Sequence, residues 1–242
     1  MKILHVFPFF SIKRGGGATW LISEIAKAQS KSKKIKPYIH TGSYQIDSSL
    51  IKSVENEGVK VIVSKSYLNK IYIHFMPSLI YSSFKIVKNS DLIHFHVLRS
   101  FQNICLWIAA IIYQKPYIID AHGSLPRHHG RKKFKKILFD LFLGNVIIKK
   151  ASFFVAENEM SYDECVNFGV KKSKIQIIRP PFPIDDFKNI QNLSILKNDY
   201  GINTTAAFKE DTDPLDPRID HTIGRRGIQY LDWIEHPGAD WI

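Results

Sequence analysis

Short aliphatic runs alternate with longer stretches of helical spacing along the first 180 residues. Lys2-Ile3-Leu4-His5-Val6-Phe7 has the pattern of a buried strand, and Ala18–Gln29 carries Trp20, Leu21, Ile25 and Ala28 on one helical face. The alternation then repeats. Further strands are predicted over Pro37–His40, Val59–Val63, Asp91–His96, Pro116–Asp120, Ser152–Ala156 and Ile175–Ile178. Between them, helices are predicted over Asp47–Glu57, Met76–Lys88, Phe101–Tyr113, Arg131–Lys149 and Asn158–Phe168. Strands of near-continuous aliphatics separated by helices imply a parallel sheet covered on both faces. The expected fold class is therefore α/β, a Rossmann-like doubly wound parallel sheet.

In such folds the ligand crevice lies outside the carboxyl ends of the strands. Three segments are expected there: Arg14-Gly15-Gly16-Gly17, the residues after His96, and Ala121-His122-Gly123-Ser124. Three glycines between a strand and a helix let the backbone approach a ligand and turn freely. The helix start behind them suits a phosphate, whereas a tight turn that packs the first helix explains the same residues without any ligand. The spacing is not GxGxxG and no acidic residue ends the second strand, which argues against nicotinamide binding.

Composition sharpens this picture. The chain has 242 residues, 45% of them hydrophobic, enough for a sizeable core. Cys105 and Cys165 have no metal-ligand spacing and read as reduced thiols of a cytosolic protein. No secretory leader or membrane-spanning run is expected, so the protein is expected in the cytoplasm or peripherally on the inner face of its membrane. The net charge of +12 is uneven: residues 204–242 carry four basic groups against eight acidic ones, while the part before them is +16. The first part favours Lys and the tail favours Arg, which suggests two origins.

The order Gly-rich loop, Asp91-Leu92-Ile93-His94-Phe95-His96, Tyr117-Ile118-Ile119-Asp120-Ala121-His122-Gly123, Val155-Ala156-Glu157-Asn158-Glu159 and Ile177-Ile178-Arg179-Pro180-Pro181-Phe182-Pro183-Ile184-Asp185 resembles the N-terminal domain of a family-four glycosyltransferase. That resemblance covers residues 1–202 and implies one half of a GT-B fold, the acceptor-side domain. It implies a retaining enzyme that moves a sugar from a nucleotide-sugar donor to a cell-surface glycan or lipid-linked acceptor, as in polysaccharide or lipopolysaccharide synthesis. The exit segment departs from the family, with Phe182-Pro183 where Asn-Gly is common. The domain that would grip the nucleotide does not follow Lys197-Asn198-Asp199-Tyr200-Gly201-Ile202. A truncated enzyme, inactive alone, is expected. The alternative is a non-catalytic acceptor-binding module that needs a partner donor-binding subunit. Residues 203–242 follow, of which about 208–242, with Asp216-Pro217-Arg218 and Gly224-Arg225-Arg226-Gly227, resemble a short piece of SusD-like glycan-binding lipoproteins. They are expected to form a poorly structured foreign tail, not an independent domain.

By the same resemblance, His122 is the candidate catalytic residue. Gly15, Gly16, Gly17, His96 and Gly123 are the candidate donor-phosphate or substrate contacts, with backbone amides stabilising the departing diphosphate. A loop histidine that only packs is the competing reading of His122. His94 and His96 lie on one face of strand four, a spacing that suits a metal pair, but no third ligand is evident in the sequence, so neither metal nor cofactor is expected. Asp120 suits a cap for the His122 loop or a substrate contact. Glu157 and Glu159 read as a strand end and a helix start. Arg131, Lys132, Lys133, Lys135 and Lys136, beside Phe134 and Ile137, suit an anionic membrane surface. Nothing resembles a nucleic-acid-binding motif, and no nucleic-acid partner is expected.

Overall fold

The computed structural model describes residues 1–67, 74–125, 136–137 and 139–180, and the backbone of 229–230 and 234–235. The chain divides into two compact units, Met1–Phe182 and Pro183–Ile242. The first contains β1 (Lys2–Val6), α1 (Ile12–Ser30), β2 (Lys36–Gly42), α2 (Ser48–Asn56), β3 (Lys60–Ser64), α3 (Leu79–Lys88), β4 (Leu92–His96), α4 (Phe101–Ile112) and β5 (Tyr117–Asp120). A π-helical turn (Asp140–Gly144), α5 (Asn145–Lys150), β6 (Phe153–Ala156), α6 (Glu159–Asn167) and β7 (Ile175–Ile177) complete it. In the second unit, β8 (Gln229–Tyr230) pairs antiparallel with β9 (Ile234–Glu235). The remainder of the expected tail, and the proposed boundary at residue 202, lie outside the described residues.

All seven expected strands form one parallel sheet in the order β3-β2-β1-β4-β5-β6-β7. The order reverses between β1 and β4, which opens a crevice at their carboxyl ends. Each face has its own core. Leu4, Val6, Ile93, Phe95, Tyr117 and Ile119 belong to the larger core, with Leu106 and Ala110 of α4 and Val87 of α3. Phe7, Phe10 and Ile39 pack with Ile22 and Ala26 of α1 and Val54 of α2 in the smaller one. Helix starts follow side-chain chemistry: Asp47, Ser100 and Asn158 each accept from a backbone N–H in the first turn of the helix behind it. Trp107 Nε1 donates to the buried Tyr117 hydroxyl at 3.0 Å, which in turn donates to the Ile147 carbonyl, tying α4, β5 and α5 together.

Two expected elements differ. Helix α1 starts at Ile12, not Ala18, and breaks at Gly16, whose φ of 53° and ψ of −136° are non-helical. The strand-to-helix loop is therefore Phe7–Ser11, and the glycines lie inside the first turns of α1. The reason is packing. A Cβ on Gly15 would stand 2.5 Å from the Phe9 carbonyl and 2.0 Å from Thr19 Oγ1, so only glycine lets this turn close on the chain before it. The expected helix over Arg131–Lys149 is not uniform either: its described part passes through the π turn at Asp140 before resuming as α5.

Candidate active site at the strand ends

Strand register assembles the site. His5 pairs with His94 across β1 and β4, and His96 pairs with Asp120 across β4 and β5. Asp120 pairs with Val155, which places Glu157 two residues on, over the same face. One face of four neighbouring strands thus carries His5, His94, His96, Asp120 and Glu157, with His122 turning back over them from the loop after β5.

A continuous row of hydrogen bonds runs through these groups. Glu157 Oε1 lies 2.7 Å from His122 Nδ1, and His122 Nε2 lies 2.9 Å from His96 Nδ1. His96 Nε2 lies 3.1 Å from His5 Nδ1, and His5 Nε2 lies 2.8 Å from Gln29 Oε1 of α1. The proton positions follow from the ends. The Gln29 oxygen accepts, so His5 donates through Nε2 and accepts at Nδ1 from His96 Nε2. His96 then accepts at Nδ1 from His122, which also donates Nδ1 to Glu157. His122 accordingly carries both protons and a positive charge.

Electrostatics agree with that assignment. Burial pushes His5 down to about 4, against a raising contribution from Gln29. His94 and His96 are held well below the ordinary value by burial and by neighbouring histidines. Burial also opposes charge on His122, but the Glu157 hydrogen bond and the Asp120 and Glu157 charges outweigh it and raise its pKa. Burial lifts Asp120 to about 6, with the His122 charge working the other way. Glu157 is shifted down by its bond to His122.

Backbone geometry presents the His122 turn. His122 and Gly123 have φ of 44° and 66°, and the Asp120 carboxylate accepts from the His122 N–H at 3.4 Å, as expected of a cap. Arg99, in the loop after β4, pins the same turn. It donates to the carbonyls of Ser124 and Leu125 and makes a two-pronged pair with Asp140 at 2.9 and 2.7 Å. Asp140 is buried and Arg99 largely so, and Gly144 leaves the space that Asp140 occupies: a Cβ there would meet Asp140 Oδ1 at 3.0 Å. Breaking a buried pair of this kind costs about 3–5 kcal/mol.

Beside this turn lies a cleft of about 550 Å³ lined by Pro8, Phe9, His74, Arg99, Phe101 and Lys136 among others. Arg14 stands near its rim, over the rings of Phe9 and Tyr44, and bonds Gln45 and His74. Of the expected contacts, His96 and His122 are brought together, and Gly123 adjoins them. His96 is fully buried, so it acts on a ligand only through His122. The Gly15 N–H is taken by the Ser11 carbonyl at 2.7 Å, and Gly16 and Gly17 are exposed. Arg131, Lys132, Lys133 and Lys135 lie outside the described residues.

Glu157, read from sequence as a strand end only, is in direct contact with His122; Glu159 opens α6, exposed, and pairs with Arg179 at 3.2 Å. Sequence reasoning also passed over His5, Gln29, Arg99 and Asp140. Asp140 did leave a signal, as a lone acid in the apolar run Ile137–Leu143. The missing third partner of His94 and His96 is likewise present: His5 from β1, or alternatively Asp120 and His122 beside His96. His94 Nε2, buried, has no hydrogen-bond partner among the described residues, an omission that costs about 1–3 kcal/mol.

No family model and no curated protein matches the chain. Solved structures do. HepE from Anabaena with UDP-glucose superposes with a TM-score of 0.60 at 19% identity, over 83% of this chain and 50% of that one. A glycosyltransferase from Rickettsia africae gives 0.59 at 18% identity, over 85% and 50%. The UDP-GlcNAc 2-epimerase of Neisseria meningitidis bound to UDP-GlcNAc gives 0.51 at 10% identity, over 83% and 54%. The chain spans about half the length of each. These likenesses show that Met1–Phe182 has the fold of one Rossmann-like half of a GT-B protein.

Proposed function

We propose that this chain is the acceptor-side half of a nucleotide-sugar glycosyltransferase. The observation that carries the reading is the conjunction of the cleft with the His122–Gly123 turn at the β1/β4 switch point. Chains that share this fold include proteins solved with UDP and UDP-glucose. Fold alone does not select transfer over epimerisation; the motif order around His96, His122 and Glu157 supports the finer reading, a retaining enzyme of family four.

In this reading His122 is held by Glu157 on one ring nitrogen and His96 on the other, so it stabilises the reacting centre through its charge and through the backbone of its turn. The Arg99–Asp140 pair fixes that backbone. The partly apolar cleft takes the acceptor, a glycan or a lipid-linked sugar. The nucleotide sugar is a substrate, and transfer is read as needing no cofactor. Exposed Leu141, Phe142 and Val146, which follow the basic run, support residence at an anionic membrane face on the cytoplasmic side. We read the tail, 203–242, as a foreign SusD-like piece.

The half-length match supports a chain that needs a donor-binding half, in the same polypeptide or in a partner subunit. The test is transfer and hydrolysis of UDP-sugars by the purified chain, with and without a separately expressed donor-binding half and a glycolipid acceptor. No turnover alone, turnover on mixing, and its loss in His122→Ala are expected. Robust transfer by the chain alone would refute the need for a second half. Unchanged turnover in His122→Ala would remove the site.

A further inference from the structure

We propose that His5, His94 and His96 form a binding site for one divalent transition-metal ion of the zinc class. The nitrogen atoms that the three rings offer all lie within 4.8 Å of one another, and all three side chains are buried. His5 Nδ1 and His96 Nε2 face each other at 3.1 Å, close to the separation of two nitrogens on one tetrahedral ion whose bonds are about 2.0–2.1 Å long.

Two independent features point the same way. His94 Nε2 is a buried imidazole nitrogen with no hydrogen-bond partner among the described residues, and its ring centroid lies 5.2 Å from that of His5. An ion between the rings gives it the partner it lacks. The outer nitrogens are also already provided for. His5 Nε2 faces the acceptor Gln29 Oε1, and His96 Nδ1 faces His122 Nε2, which becomes an acceptor once its proton passes to His96. Metal-bound histidines almost always donate their second N–H in this way, which fixes the ring and its tautomer.

The ion displaces the proton that His96 Nε2 gives to His5, which leaves to solvent; the His122 Nε2 proton passes to His96 Nδ1, and His96 then donates to His122. Burial keeps all three rings neutral, the form that binds a metal. An all-imidazole set suits Zn²⁺, Cu²⁺ or Ni²⁺ over Mg²⁺ or Ca²⁺, which prefer oxygen ligands. Three protein ligands from two adjacent strands leave a fourth position open. The ion would staple β1 to β4 beneath the strand ends. This site stands whether or not the glycosyltransferase reading does.

The test is direct metal binding to the full 242-residue chain after chelator treatment, titrated with Zn²⁺ and with Co²⁺. One ion per chain and the intense visible absorption of tetrahedral Co²⁺ are expected. His94→Leu should weaken binding at least ten-fold. His94→Gln, which keeps a polar side chain, guards against a folding failure and should show the same loss. His122→Asn, which keeps an acceptor for His96, should weaken binding less than either His94 variant. No stoichiometric uptake at micromolar metal overturns the site. So does uptake that survives both His94 variants, or uptake lost in His122→Asn but retained in His94→Gln, which would move the ion to His96, Asp120 and His122.

Discussion

Each face of the sheet buries histidine, and the two faces treat it differently. On the α4 side, His40 is closed on itself. Its Nδ1 faces Gln102 Nε2 at 2.5 Å and its Nε2 faces Ser64 Oγ at 2.9 Å, with both partners buried. On the α1 side, the histidines form an open row that ends on an ionised carboxylate, and one ring, His94, has a nitrogen left over. Structural histidine shows complete pairing with neutral groups. The histidine row shows charge at one end and an unmet valence beside it.

The contrast can be broken at several points. The largest effect is expected from Arg99→Leu, which leaves Asp140 buried without its cation and frees the turn that carries His122. Chemical denaturation should show a loss of about 3–5 kcal/mol, much of it regained when Asp140→Asn is added. Recovery would fail if Arg99 acted only through the Ser124 and Leu125 carbonyls.

Acid comes next. Burial lowers His40 to about 4 in the folded chain, against an ordinary value of 6.5. The unfolded chain therefore binds the proton first. The stability that neutral His40 contributes is fully present above pH 6.5 and lost as pH falls toward 4, a span worth about 3 kcal/mol. Unfolding curves from pH 7 to 4 should slope less in His40→Leu than in the parent. An unchanged slope would mean that His40 takes up its proton without unfolding.

A paired comparison gives the smallest and sharpest readout. At pH 7 in chelator, His40→Leu should cost about 1–3 kcal/mol, because Ser64 and Gln102 each lose a buried partner. His94→Leu should cost nothing, or stabilise by up to about 3 kcal/mol, because it removes a buried nitrogen that bonds nothing. Equal losses would erase the distinction between the two faces.

The strands were legible because each is a short aliphatic run, and a parallel sheet makes no other demand on sequence. Helix α1 was misplaced because Ile12-Lys13-Arg14-Gly15 has no apolar period, and glycines that usually end a helix here permit its close approach. The site was legible where it follows a strand directly, as at His96 and His122. His5 was hidden because an isolated histidine in a strand says nothing of its neighbour until β1 and β4 are known to be adjacent. Gln29 and Glu157 were hidden for the same reason, 24 and 35 residues from the rings they bond.

The row from Gln29 to Glu157 has a direction. Each neutral ring in it has one proton and two neighbours, so every ring must point the same way as the one before. Turning the Gln29 amide by half a revolution would offer Nε2 in place of Oε1, reverse each donor in sequence, and leave His122 with a single proton directed at Glu157. The interior therefore stores one binary state, written by an amide on the first helix and read at His122 as the presence or absence of a charge.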